Sequence, residues 1–127
     1  MSINLEELDL AQNKWLPLTG KLRGVDVHVK YASPKQAERF RQRLVKNGIM
    51  RAGKGSDWQI ANNREDDFFK AFAEFYVLDW KGEIKPEGTA YNAEDMGRIL
   101  AAYGSAFEQV SNAISDDSDF FVSDNGG

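Results

Sequence analysis

Hydrophobic positions change period along the chain, and each change marks an element. Between residues 25 and 31, Val25, Val27, Val29 and Tyr31 alternate with Asp26, His28 and Lys30, the period-two pattern of a half-buried strand. Trp15-Leu16-Pro17-Leu18, followed by Gly20 and Gly24, reads as the preceding strand of a hairpin. Pro17 has no amide to donate, which assigns that strand to an edge. In Ser33-Pro34-Lys35-Gln36, a serine N-cap, a proline at the first helical position and a glutamine three residues after the serine make a capping-box start. The helix is predicted to run to about Asn47, with Gly48 as its left-handed stop and Ala37, Phe40, Leu44 and Val45 as its inner stripe.

Residues 49–63 read as a loop with room for a short strand at Trp58–Ile60. Asn63 is expected to cap a second helix whose first turn carries Glu65, Asp66 and Asp67, carboxylates that complement the positive end of the helix dipole. Phe68, Ala71, Phe72, Phe75 and Tyr76 form the most apolar stripe of the chain, and the helix gives way around residues 77–82. After a polar loop, Asn92 is a third N-cap. Met96, Ile99, Leu100, Tyr103, Phe107, Val110 and Ile114 then predict one helix over residues 93–114. The expected organisation is a 1–13 tail or short helix, a single 14–114 domain, and an acidic, disordered 115–127 tail. The expected fold class is α+β, a small N-terminal antiparallel hairpin or sheet packed with about three helices.

The chain is 127 residues long, enough to bury roughly two-thirds of its unfolded surface without a metal or disulfide. It has no cysteine, which excludes disulfides, thiolate metal sites and cysteine nucleophiles. The one histidine, His28, argues against an imidazole metal centre. No apolar run approaches the ~18–20 residues a membrane span needs, and no signal-peptide layout opens the sequence. A soluble cytoplasmic protein is therefore expected. The net charge of −4 conceals a polarity: residues 14–64 carry +9 and residues 65–127 carry −10. Such asymmetry favours electrostatically guided contacts, between copies of the chain or with an acidic partner.

The sequence offers little to catalysis. His28 lies on the polar face of a strand, and no G-x-S-x-G elbow accompanies it. Glu65, Asp66 and Asp67 diverge by ~100° each around a helix and do not converge on one ligand. Asp116, Asp117 and Asp119 lack the glycine and terminal glutamate of a calcium loop. Gly53-Lys54-Gly55-Ser56 departs from the phosphate-loop order, because its lysine precedes the second glycine. Lys35, Arg39, Arg41, Arg43, Lys46, Arg51 and Lys54 could line a phosphate backbone, with Trp58 available to stack. A sequence pI near 5.0 weighs against that use. It leaves a small nucleic-acid-binding regulatory protein, acting through helix 34–47, as the alternative reading.

Val77-Leu78-Asp79-Trp80-Lys81-Gly82, a polar loop to Tyr91-Asn92, and a helix carrying Ile99-Leu100 and Phe107 resemble the carboxyl half of the tail assembly chaperones of long-tailed bacteriophages. Trp15, the Gly24-Val25-Asp26-Val27 strand and the Ser33-Pro34 helix start are similar to the amino half, so the resemblance covers about residues 14–114. It implies a non-enzymatic helper of virion assembly in the host cytoplasm, without cofactor or metal. Such proteins bind the tape measure protein, keep its helices soluble and recruit tail tube protein around it. Many are also made in a longer, frameshifted form. A helper of amphipathic helices needs apolar grooves rimmed by charge. The residues expected to bind partners are Arg39, Arg41 and Arg43 as a rim, with Trp58, Phe68, Phe72, Phe75 and Trp80 as apolar surface. Pairing of the oppositely charged halves predicts self-association.

Overall fold

A computed structural model describes residues 13–52 and 58–115. The expectations for the 1–13 tail (but for Asn13), the Gly53-Lys54-Gly55-Ser56 loop and the acidic segment from Asp116 onward lie outside the described residues. Element order is β1 (Asn13–Pro17), a one-turn 3-10 helix (Gly20–Leu22), β2 (Val25–Lys30), α1 (Pro34–Lys46), β3 (Met50–Ala52), β4 (Trp58–Ile60), α2 (Glu65–Tyr76), β5 (Val77–Gly82), α3 (Ala93–Ala102) and α4 (Gly104–Ser115). This is a mixed fold in which four α-helices accompany a three-stranded antiparallel sheet, β1-β2-β5, and a separate hairpin, β3-β4.

The hairpin β1-β2 forms as its alternation predicts, with Trp15 opposite His28 and Pro17 on the edge strand. Helix α1 opens with both arms of its capping box: the Gln36 amide donates to Ser33 Oγ, and the Ser33 amide donates to Gln36 Oε1. Gly48, at φ +75°, follows its C-cap. Three local expectations are corrected. Asn63 does not cap α2; it turns left-handed at φ 63°. Arg64 takes the cap position without a side-chain cap bond, and its Nε instead meets Asp67 Oδ2 at 2.6 Å. Residues 77–82, where the helix is expected to give way to a loop, are a strand. The helix expected over 93–114 breaks at Tyr103 (φ −118°, ψ 90°), whose carbonyl accepts from the amides of Ala106 and Phe107. Gly104 follows that break, and glycine costs about 1 kcal/mol in a helix interior. Breaking there lets α3 turn Met96 and Leu100, and α4 turn Ala106 and Val110, into the core, while Tyr103 is left exposed.

The core is one cluster joining Val27 and Val29 of β2, Val77 and Trp80 of β5, Phe72 and Ala73 of α2, Met96 and Leu100 of α3, and Ala106 and Val110 of α4. Full burial of each large aliphatic side chain contributes roughly 1.5–3 kcal/mol. Helices α2 and α3 cross closely at Gly97, where an added Cβ would stand 2.9 Å from the Lys70 backbone. Only glycine fits that approach.

Candidate functional site: a basic and aromatic cleft

Because α1 ends beside the start of β3, and α2 runs into β5, the two helices bring Phe40 and Phe75 face to face. Their rings stack with centroids 4.4 Å apart and planes 5° from parallel. Tyr76 closes the group edge-on, 5.6 Å from Phe40 and 4.6 Å from Phe75. Two cations stand over this group. Lys30, the last residue of β2, places Nζ 4.1 Å from the Phe75 centroid, and Arg43 places Cζ 5.7 Å from both phenylalanine centroids. Each gains from the negative face of the ring. A cleft of about 380 Å³ opens here, lined by Lys30, Phe40, Arg43, Ala71, Glu74 and Phe75 among others.

The cleft is electrostatically strained toward positive. Lys30 has its pKa lowered, first by burial and second by the Arg43 guanidinium. Among the described residues neither Lys30 nor Arg43 makes an ion pair, and Glu74 at the rim reaches neither. On α1, Arg39 lies four residues before Arg43 and Lys46 three after, so both flank Arg43 on one helix face. What this arrangement can do is hold an anionic group beside an apolar or aromatic one.

The sequence-derived residues divide. Arg43 and Phe75 line this cleft, and Arg39 lies one helical turn before Arg43 on α1. Arg41 does not line it: it pairs with Glu38 and lies close enough to Tyr76 to oppose the burial that raises that phenol's pKa. Phe68 is half-buried between α2 and α4, with Phe107 6.2 Å away. Phe72 and Trp80 are 6% and 8% exposed and belong to the core, not to a surface. The Trp80 ring meets Tyr91 edge-on at 5.0 Å and its Nε1 donates to the Thr89 carbonyl. Trp58 pairs its backbone with Ala52 in the small hairpin; its side chain lies outside what is described.

Sequence reasoning missed Lys30 as a cleft residue, because alternation alone assigns it to the solvent side of a strand. It also gave no place to the outer face of the sheet. There Trp15 stacks on His28 at 4.7 Å under Lys81 Nζ, and Leu78 is 43% exposed. A further concavity at the β5–α3 loop is bounded by Lys81, Glu83, Lys85 and Glu87, charges that include the Lys85–Glu87 pair.

Among the described residues no three His, Cys, Asp or Glu side chains converge as a metal site, and no helix is long and apolar enough to cross a membrane. Compared with protein-family models, curated proteins and solved structures, the chain finds no match.

Proposed function

We propose that the chain is a non-catalytic tail assembly chaperone of a long-tailed bacteriophage, holding tape measure protein and tail tube protein in the host cytoplasm before they join the tail. Two lines support this reading: the resemblance across residues 14–114, and one feature of the fold, the cleft in which Lys30 and Arg43 stand over stacked Phe40 and Phe75. An amphipathic helix with acidic residues flanking its apolar stripe fits that surface, its apolar side chains against the rings and its carboxylates against the cations. Such contacts exchange readily, since salt screens the charged rim.

The test is co-expression with the tape measure and tail tube reading frames of the same phage. The expected result is recovery of either partner with the chain, a higher soluble yield of tape measure protein, and loss of both on Arg39→Glu with Arg43→Glu. Substitution of exposed side chains costs within about 0.5 kcal/mol each, so lost binding at an unchanged melting temperature isolates the cleft. Tight, salt-sensitive retention on DNA without recovery of either tail protein would instead establish the nucleic-acid reading.

A further inference from the structure

Two surfaces of the molecule pair cations with aromatic rings, and their charge balances differ. On the outer face of the sheet, Lys81 over Trp15 has Asp26 opposite it and Asp79 two residues away. At the cleft, Lys30 and Arg43 face one carboxylate, Glu74, and Arg39 and Lys46 flank them on α1. An acidic segment meets competing carboxylates at the first surface and mostly cations at the second. The chain itself contains a segment of that chemistry. Asp116, Asp117, Asp119 and Asp124 surround Phe120-Phe121-Val122, with no lysine or arginine among them.

We propose that residues 116–124 dock in cis on the cleft of Lys30, Arg43 and Phe75, the aspartates meeting the two cations and a phenylalanine packing on the Phe40–Phe75 rings. Helix α4 starts against the 3-10 turn, with Gln109 bonded to Thr19 at the end of the sheet where β2 begins, and it packs against β2. The chain therefore leaves α4 at Ser115 heading away from that turn. Phe120 stands five residues on, a reach of up to ~17 Å of extended chain. Tethering at this length gives an effective concentration in the millimolar range, which favours the segment of the same chain over that of a neighbour. Docked, it covers the rings in the free protein and yields to any partner offering a longer acidic and apolar surface. The identity of that partner does not enter, so failure to recover tail proteins leaves this contact standing.

The absence of cysteine allows a clean test. A nitroxide on Ser118→Cys in the full ¹⁵N-labelled chain is expected to erase most of the amide signal of Lys30, Arg43 and Phe75. The loss should be unchanged on dilution with unlabelled protein. It should disappear with Arg43→Glu, with Asp116→Asn, Asp117→Asn and Asp119→Asn together, and at 1 M salt, where the screening length falls to ~3 Å. Broadening centred on Trp15 and Lys81 would overturn the proposal, as would no broadening at all. So would broadening seen only when the nitroxide sits on a separate, ¹⁴N chain, which would make a second copy the occupant. Full broadening retained in both Arg43→Glu and the triple asparagine variant would overturn it too.

Discussion

Helix α2 is held on two sides by contacts of opposite kinds. Toward α3 it makes a close helix crossing at Gly97, beside Phe72 and fully buried Met96 and Leu100. Toward α1 it offers Phe75, half-buried, stacked on Phe40 and overhung by Lys30 and Arg43. The first contact buries Phe72, Met96 and Leu100, with the charged side chains of Asp66, Lys70, Glu94 and Arg98 lining the open rim beside Gly97, and the approach there leaves no room for a Cβ. The second keeps an aromatic surface under cations and open to an approaching ligand. Buried packing is concentrated on one side of the helix and an open aromatic surface under cations on the other, although Phe72 and Phe75 are only three residues apart.

The largest expected effect is on the closed side. Phe72→Ala should destabilise the protein by about 3–5 kcal/mol, since it leaves a cavity among residues that cannot collapse into it. Urea titration followed by circular dichroism measures it, and a loss near 1 kcal/mol would mean that this side is no more closed than the other. Gly97→Leu acts from the opposite direction, forcing a side chain into the Lys70 backbone. Gains in helix propensity of about 1 kcal/mol oppose an overpacking cost that is larger, for a net loss of about 2 kcal/mol. On the open side, Phe75→Ala should cost about 1–2 kcal/mol, the stacked pair plus partial burial. Smaller still, Arg43→Glu should shift stability by no more than about 0.5 kcal/mol while weakening the proposed partner contact of the cleft. An Arg43→Glu variant that melts as early as Phe75→Ala would dissolve the distinction.

How much of this was legible beforehand follows from what each signal measures. Caps are local, and Ser33-Pro34-Lys35-Gln36 and Asn92 act where they stand: Asp95 donates its amide to Asn92 Oδ1 at 2.8 Å. Asn63 failed because a left-handed turn and a cap draw on the same residue type, and the turn prevailed. Strand β5 was concealed by its own irregularity. Its register shifts against His28 and Val29, so one extra residue puts the buried positions, Val77 and Trp80, three apart. Three is helical spacing, and the segment follows a helix directly. The Tyr103 break was hidden for the converse reason, since apolar residues continue at helical spacing through it. At the site, charge and aromatic content marked α1 and α2 as a candidate surface. Which phenylalanines stay open depends on where β5 and α3 pack, which no local pattern encodes. Lys30 is the clearest case: its partners, Arg43 and Phe75, come from two other elements.

The smallest expected effect tests the open side through that same lysine. Burial, and secondarily the Arg43 guanidinium from α1, lower the pKa of Lys30 below its ordinary 10.5 in the fold; Glu74 of α2 faces the same space. Between the lowered value and 10.5 the unfolded chain binds more protons at this position than the folded one, so its contribution to stability rises with pH across that window. The penalty is fully present below the folded pKa and relieved above the unfolded one. Lys30→Met removes it at every pH. The stability of the natural chain minus that of Lys30→Met should therefore climb as the solution is taken up toward pH 10.5. Tyr76 and Tyr91 have raised pKa values in the fold, chiefly from burial, so they lower stability as pH rises above their ordinary 10.0, where the unfolded phenols ionise. Both proteins carry them, and they cancel in the difference. With Asp116, Asp117 and Asp119 changed to asparagine the climb should steepen, because docked aspartates would otherwise favour the charged ammonium. A difference that stays flat across the window would put Lys30 in water rather than over Phe75, and the two sides of α2 would then differ in packing alone.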